Sequence, residues 1–124
     1  MKARIVRPDP DPATAFPTAE RCRILELWNG ADDPALSITL ATVASGETTQ
    51  SHRLRGVEER YLILHGQGLV SLGDEAPEPV GPGDLVVIPA GVAQRIANTG
   101  NGELAFYCIC TPRFTPESYE MLEN

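Results

Sequence analysis

From Ile24 to Cys110 the chain repeats one pattern: a run of four to eight mostly apolar residues, then a cluster of residues that favour turns. The runs are ILELW at 24–28, LSITLATV at 36–43, YLIL at 61–64, LVSL at 69–72, LVVI at 85–88, AQRIAN at 93–98 and LAFYCIC at 104–110. Between them fall Asn29-Gly30, Ser45-Gly46, Gly66-Gln67-Gly68, Gly73-Asp74, Gly81-Pro82-Gly83-Asp84, Pro89-Ala90-Gly91 and Thr99-Gly100-Asn101-Gly102. Runs this short, closely spaced and without a helical period read as strands. Pro82-Gly83 suits the centre of a type II turn, because proline presets φ at the first position and glycine accepts a positive φ at the second.

The two ends break the pattern. Pro8, Pro10, Pro12 and Pro17 interrupt the first twenty residues so closely that only a short edge strand fits there, and residues 1–19 are expected to form an arm. At the other end Thr115 is placed to cap, Pro116 to open and Glu117 to occupy the first turn of a short helix reaching about Leu122. The expectation is an all-β barrel or sandwich over residues 20–114, with a helical tail at 115–124.

Composition narrows the partners. The 124 residues carry 10 basic and 17 acidic side chains, a formal charge of -7, which is the wrong balance for gripping a phosphate backbone or an anionic membrane. The N-terminus MKARIVRPDPDPATAFPTAE lacks the apolar stretch of a signal peptide, and no apolar run approaches the length of a membrane span, so a cytoplasmic protein is expected. Cys22, Cys108 and Cys110 are odd in number and spaced unlike a disulfide framework, which fits reduced thiols.

Two spaced patterns lie across the strands. Gly46, His52, Leu54, Glu59 and Gly66 form the first; Gly83, Pro89, Gly91, Gln94 and Asn98 form the second. In their spacing they resemble the two motifs of the cupin superfamily, over residues 46–98. The resemblance implies a double-stranded β-helix, or jelly-roll, barrel. It also implies that the family's metal ligands, three imidazoles and a carboxylate, fall on His52, Leu54, Glu59 and Gln94, of which Leu54 and Gln94 depart from histidine. Residues two apart on a strand share a face, so His52 and Leu54 point one way, as do Gln94, Ile96 and Asn98.

The altered ligand set leaves one imidazole, one carboxylate and one amide. Leucine cannot ligate, and a neutral amide oxygen is a poorer donor than imidazole for a borderline metal. His52, Glu59 and Gln94 are therefore candidates for a weakly held divalent metal, Fe, Mn, Ni or Zn, with positions open to a substrate. The alternative is that His52 and Glu59 are a buried hydrogen-bonded pair, and that Gln94 bonds to His52 or to a ligand.

Tyr61 and Ile63 share the Glu59 face, and the Tyr61 hydroxyl is a candidate general acid beside Glu59, or else a satisfied core tyrosine. His65 has the same parity but lies about 20 Å along the strand from Glu59, too far for the same ion, and reads as a rim residue. Glu58, Arg53, Arg55 and Arg95 have the outward parity. Arg113 follows the final strand and is placed either to reach an anion at the barrel mouth or to pair on the surface. Cys108 and Cys110 share a face as small buried residues, soft ligands or a redox pair.

Three functions follow: a metal-dependent enzyme acting on a small organic molecule in the manner of a dioxygenase or isomerase; a metal-free isomerase, epimerase or cyclase; and a non-catalytic ligand-binding module. Neither a nucleic acid nor a membrane is an expected partner. Because LSITLATV and LVVI are apolar on both parities, both faces need cover, and a homodimer is expected.

Overall fold

The computed structural model describes residues 1–7, 16–17 and 21–123. Much of the proline-rich arm, including Pro8, Pro10 and Pro12, and the last residue of the tail lie outside the described residues.

Eleven strands are present among the described residues: β1 (Phe16–Pro17), β2 (Arg23–Trp28), β3 (Ser37–Val43), β4 (His52–Leu54), β5 (Glu58–His65), β6 (Gly68–Leu72), β7 (Glu78–Val80), β8 (Leu85–Ile88), β9 (Gln94–Asn98), β10 (Leu104–Thr111) and β11 (Tyr119–Met121). They form a six-stranded sheet in the order β1-β2-β3-β10-β5-β8 and a five-stranded sheet in the order β11-β4-β9-β6-β7. All pairings between named strands are antiparallel. The seven apolar runs of the sequence are the bodies of β2, β3, β5, β6, β8, β9 and β10. Of the four strands that no apolar run announces, β1 has two residues and β4, β7 and β11 have three each. Among the described residues, no helix is long and apolar enough to cross a membrane.

Alternation places one set of side chains inside the barrel, and register sorts them by polarity. Across the six-stranded sheet, Ser37, Cys110, Glu59 and Ile88 lie in one row, and Glu26, Thr39, Cys108, Tyr61 and Val86 in the next. The following rows are Ile24, Ala41, Phe106 and Ile63, then Val43 and Leu104. The barrel interior therefore grades from polar at the Glu59 end to apolar at the Leu104 end. Val43, Leu104, Ile63 and Ile96 are almost completely buried in the apolar part, where burial of each side chain contributes roughly 1.5–3 kcal/mol. A smaller cluster of Leu54, Val57 and Cys110, with Phe114 and Tyr119 packed on it, closes the polar end.

Turn chemistry fixes the register. The Gly81–Asp84 reversal is closed by the Asp84 amide donating to the Gly81 carbonyl at 3.0 Å, with Gly83 at φ 90°, the type II geometry expected of Pro82-Gly83. The Asp84 carboxylate also accepts from the Gly81 amide at 2.8 Å. Gly66, between β5 and β6, has φ 89°, and a Cβ there would stand 2.6 Å from the Glu103 carbonyl oxygen. Only glycine meets both demands.

The tail departs from the expected helix. One 3₁₀ turn, Pro116–Ser118, opens with proline as anticipated, but Thr115 makes no side-chain cap; its carbonyl instead accepts from the Ser118 amide at 3.0 Å and the Ser118 hydroxyl at 2.7 Å. The chain then extends as β11 and pairs with β4, Tyr119 opposite Leu54 and Met121 opposite His52. A helix this short is marginal alone, whereas the open edge of β4 offers backbone partners at once. The Glu120 carboxylate accepts two hydrogen bonds from Arg53, both 2.9 Å, and one from Arg55 at 3.0 Å. Glu123 accepts from Arg21 at 2.8 and 3.0 Å and from the Ser51 amide at 2.6 Å.

These contacts make the tail sensitive to acid. The Arg53 hydrogen bonds hold the Glu120 carboxyl below its ordinary value of 4.5, and the Arg21 hydrogen bond does the same for Glu123. A carboxyl depressed in the folded state contributes stability that is complete above the unfolded value and is lost as pH falls through the folded one. Amide exchange of Leu122 and Arg55, which donate to the Ser51 and Ser118 carbonyls, is expected to lose protection between roughly pH 5 and pH 3 while the Phe106 amide keeps its own. Simultaneous loss at all three amides would show that β11 is not a separately latched unit.

Candidate functional site

The polar end of the barrel encloses a cavity of about 180 Å³. His52, Glu59 and Tyr61 line it, together with Cys22, Cys108 and Cys110. β4 supplies His52, which lies directly opposite Gln94 of β9. Two adjacent inner positions of β5 supply Glu59 and Tyr61 from the other sheet. All four are buried, Gln94 most completely at 1% exposure. The sequence-predicted residues are thus brought to one end of one barrel.

Their partners set their chemistry. The Tyr61 hydroxyl donates a short hydrogen bond to Gln94 Oε1, linking the two sheets across the interior. The ring of Tyr61 packs on Phe106 with centroids 4.6 Å apart. His52 Nδ1 lies 2.8 Å from the Gln50 carbonyl oxygen, which can only accept, so Nδ1 carries the proton. In the neutral imidazole, Nε2 then holds the lone pair. The Cys110 thiol donates to Glu59 Oε2 at 3.7 Å.

Tyr119 enters from the tail that was expected to be helical. Its ring stacks on His52 with centroids 4.8 Å apart and planes inclined by 21°, and its hydroxyl donates to Gln50 Oε1 at 2.6 Å. Gln50 therefore holds the imidazole through its carbonyl and the tyrosine through its side chain. Phe114 also lines the cavity, its amide donating to Ser37 Oγ and its carbonyl accepting from Asn29, both at 2.9 Å. No motif marks either ring; only the β4–β11 pairing and the loop path reveal them.

The outlying candidates are placed elsewhere. His65 is exposed at the end of β5, and Glu58 and Arg95 are exposed on the outer face. Arg53 and Arg55 bind Glu120. Arg113 donates to Asn29 Oδ1 at 2.9 Å, an exchange with a neutral amide that steadies the Phe114 loop. Cys22, Cys108 and Cys110 are not in disulfides.

A resident metal finds a poor donor set in these residues. Leu54, at the position of the second imidazole, is buried and apolar. Gln94, at the position of the third imidazole, offers only a neutral amide oxygen, a poorer donor than imidazole for a borderline metal. Among the described residues no group of three His, Cys, Asp or Glu is arranged to hold a metal ion.

The fold and this interior define a small double-stranded β-helix barrel with one polar, hollow end. The pattern of the cupin domain matches residues 39–110, and the chain belongs to that family. An uncharacterised protein of Methanocaldococcus jannaschii is 38% identical over 87 residues, 70% of this chain and 69% of its own. A double-stranded β-helix protein of Klebsiella pneumoniae superposes with a TM-score of 0.77 over 99% of this chain and 100% of its own, at 13% identity. Streptomyces Pac13, solved with uridine and described as a nucleoside dehydratase, superposes with a TM-score of 0.76 over 99% of this chain and 93% of its own, at 14% identity.

The Tyr61–Gln94 bond has a measurable worth. Tyr61→Phe keeps the ring against Phe106 but leaves a buried amide oxygen without that donor. Chemical denaturation is expected to show a loss of about 1–3 kcal/mol, and a loss below about 0.5 kcal/mol would mean the bond contributes nothing to the barrel.

Proposed function

We propose that the barrel binds a small organic molecule and transfers protons on it without a resident metal, with His52 and Glu59 as the proton-transfer pair and Tyr61 as the acid. The observation that carries this reading is the Tyr61–Gln94 hydrogen bond, which holds the phenol as a donor at the cavity wall. The proton on His52 Nδ1 adds to it, because the Gln50 carbonyl leaves Nε2 as the basic nitrogen. A ligand oxygen arriving beside Tyr61 competes for its proton, and a ligand carbon or hydroxyl beside His52 meets a base. Isomerisation, epimerisation and dehydration all need this pairing of a base and an acid in one pocket.

The likeness to Pac13 favours the same class, since dehydration removes one proton and delivers another to the departing hydroxyl. The size of the cavity bounds the ligand. A cavity of roughly 150 Å³ accepts benzene, so about 180 Å³ suits a single ring or its open-chain equivalent.

We also propose pairing through the outer face of the six-stranded sheet, where Leu85 and Val87 of β8 are about half exposed and Leu64 of β5 is exposed beside them. Sedimentation of the full chain at micromolar concentration is expected to give a dimer that becomes a monomer in Val87→Glu. A wild-type monomer would refute the pairing.

The test of function is hydrogen exchange at carbon. Small hydroxy and carbonyl compounds of single-ring size are incubated with the protein in D₂O with and without a chelator. Deuterium incorporation is expected to be indifferent to the chelator and to fall by about 10²–10⁴-fold in His52→Ala. Exchange that needs added metal, or that survives in His52→Ala, would overturn the proposal.

A further inference from the structure

The cavity's charge and its rings select among ligands of the right size. Two carboxylates line it. Glu59 lies buried in the interior, and Glu26, exposed on β2, stands where the cavity opens. Among the described residues lining it there is no lysine or arginine, and the His52 tautomer turns a lone pair rather than a proton outward from Nε2 in the neutral ring. Four aromatic residues complete the walls: Tyr61, Phe106, Phe114 and Tyr119.

We infer that the ligand taken by this cavity is a small organic cation, a primary or substituted ammonium carried on a ring or short chain. The inference rests on the reading of the cavity as a ligand site and adds the class of ligand. Aromatic rings present electron-rich faces to a cation, and this attraction strengthens where water is excluded. Glu26, exposed among the lining residues, adds a field of the attracting sign where the path inward begins. The formal charge of -7 on the whole chain draws cations toward the protein and repels anions. A carboxylate or phosphate ligand of equal size meets the Glu26 carboxylate and no basic side chain among the described lining residues.

The outer carboxylate is the better one to alter. Glu26 is exposed, so its replacement leaves the core packing unchanged, whereas Glu59 is buried against Cys110. In Glu26→Gln the shape and hydrogen-bonding capacity at the opening remain while the charge is removed. Discrimination between charged and neutral ligands is then the property that changes.

Three probes of one shape and differing charge test this by calorimetry at pH 7 and low salt: benzylamine, benzyl alcohol and benzoate. Benzylamine is expected to bind roughly two- to fivefold more tightly than benzyl alcohol, the range set by exposed charge pairs. Benzoate is expected to show no saturable binding. The preference for benzylamine over benzyl alcohol is expected to shrink toward parity in Glu26→Gln and in high salt. Benzoate binding as tightly as benzylamine, no saturable binding of benzylamine, or a preference unchanged in Glu26→Gln would each overturn the inference. Because binding is read directly, loss of deuterium exchange with an intact cation preference would sink the proton-transfer reading alone. The reverse result would sink the cation alone.

Discussion

The hydrogen bond from Tyr61 to Gln94 is the interaction on which the polar end of the barrel depends. It spans from β5 in one sheet to β9 in the other, between two buried residues. Inside a low-dielectric core a satisfied pair of this kind rigidifies its surroundings, and an unsatisfied member is costly. With the phenol and the amide committed to each other, His52 stands beside Gln94 across the β4–β9 pairing and Glu59 stands beside Tyr61 along β5. One bond thus sets the spacing between the two halves of the candidate site.

The remainder of the polar end is organised around keeping His52 in one orientation. Gln50 accepts from Nδ1 through its carbonyl and from Tyr119 through its side chain, while the Tyr119 ring covers one face of the imidazole. Tyr119 is there because β11 pairs with β4, and β11 is held by Glu120 and Glu123 to three arginines. Surface charges that contribute little to global stability therefore bear on the position of a buried imidazole.

Much of this was legible in the order of residues. The seven apolar runs became strands because each is bounded by residues that favour turns, and the Pro82-Gly83 reversal formed as its φ preferences require. His52, Glu59, Tyr61 and Gln94 lie in the interior as their strand parity requires, since alternation is local and survives folding unchanged. The tail misled because Thr115, Pro116 and Glu117 do encode one helical turn, while the decision at Tyr119 belongs to the edge of β4, more than sixty residues away in sequence. The contacts of Tyr119 with His52, of Cys110 with Glu59 and of Glu26 with the cavity opening follow from register between distant strands, which a linear pattern does not carry.

The central claim is that His52 presents an unprotonated Nε2 to a cavity that works without a resident metal. The chain has only two histidines, and His65 is exposed, so the imidazole nitrogens can be assigned by long-range ¹⁵N–¹H correlation spectra. At pH 8 His52 is predicted to show a protonated Nδ1, as its contact with the Gln50 carbonyl requires, and an unprotonated Nε2, with both signals unmoved by equimolar Zn²⁺ or Ni²⁺. A proton on Nε2, or displacement of the Nε2 signal by equimolar metal, would contradict the account.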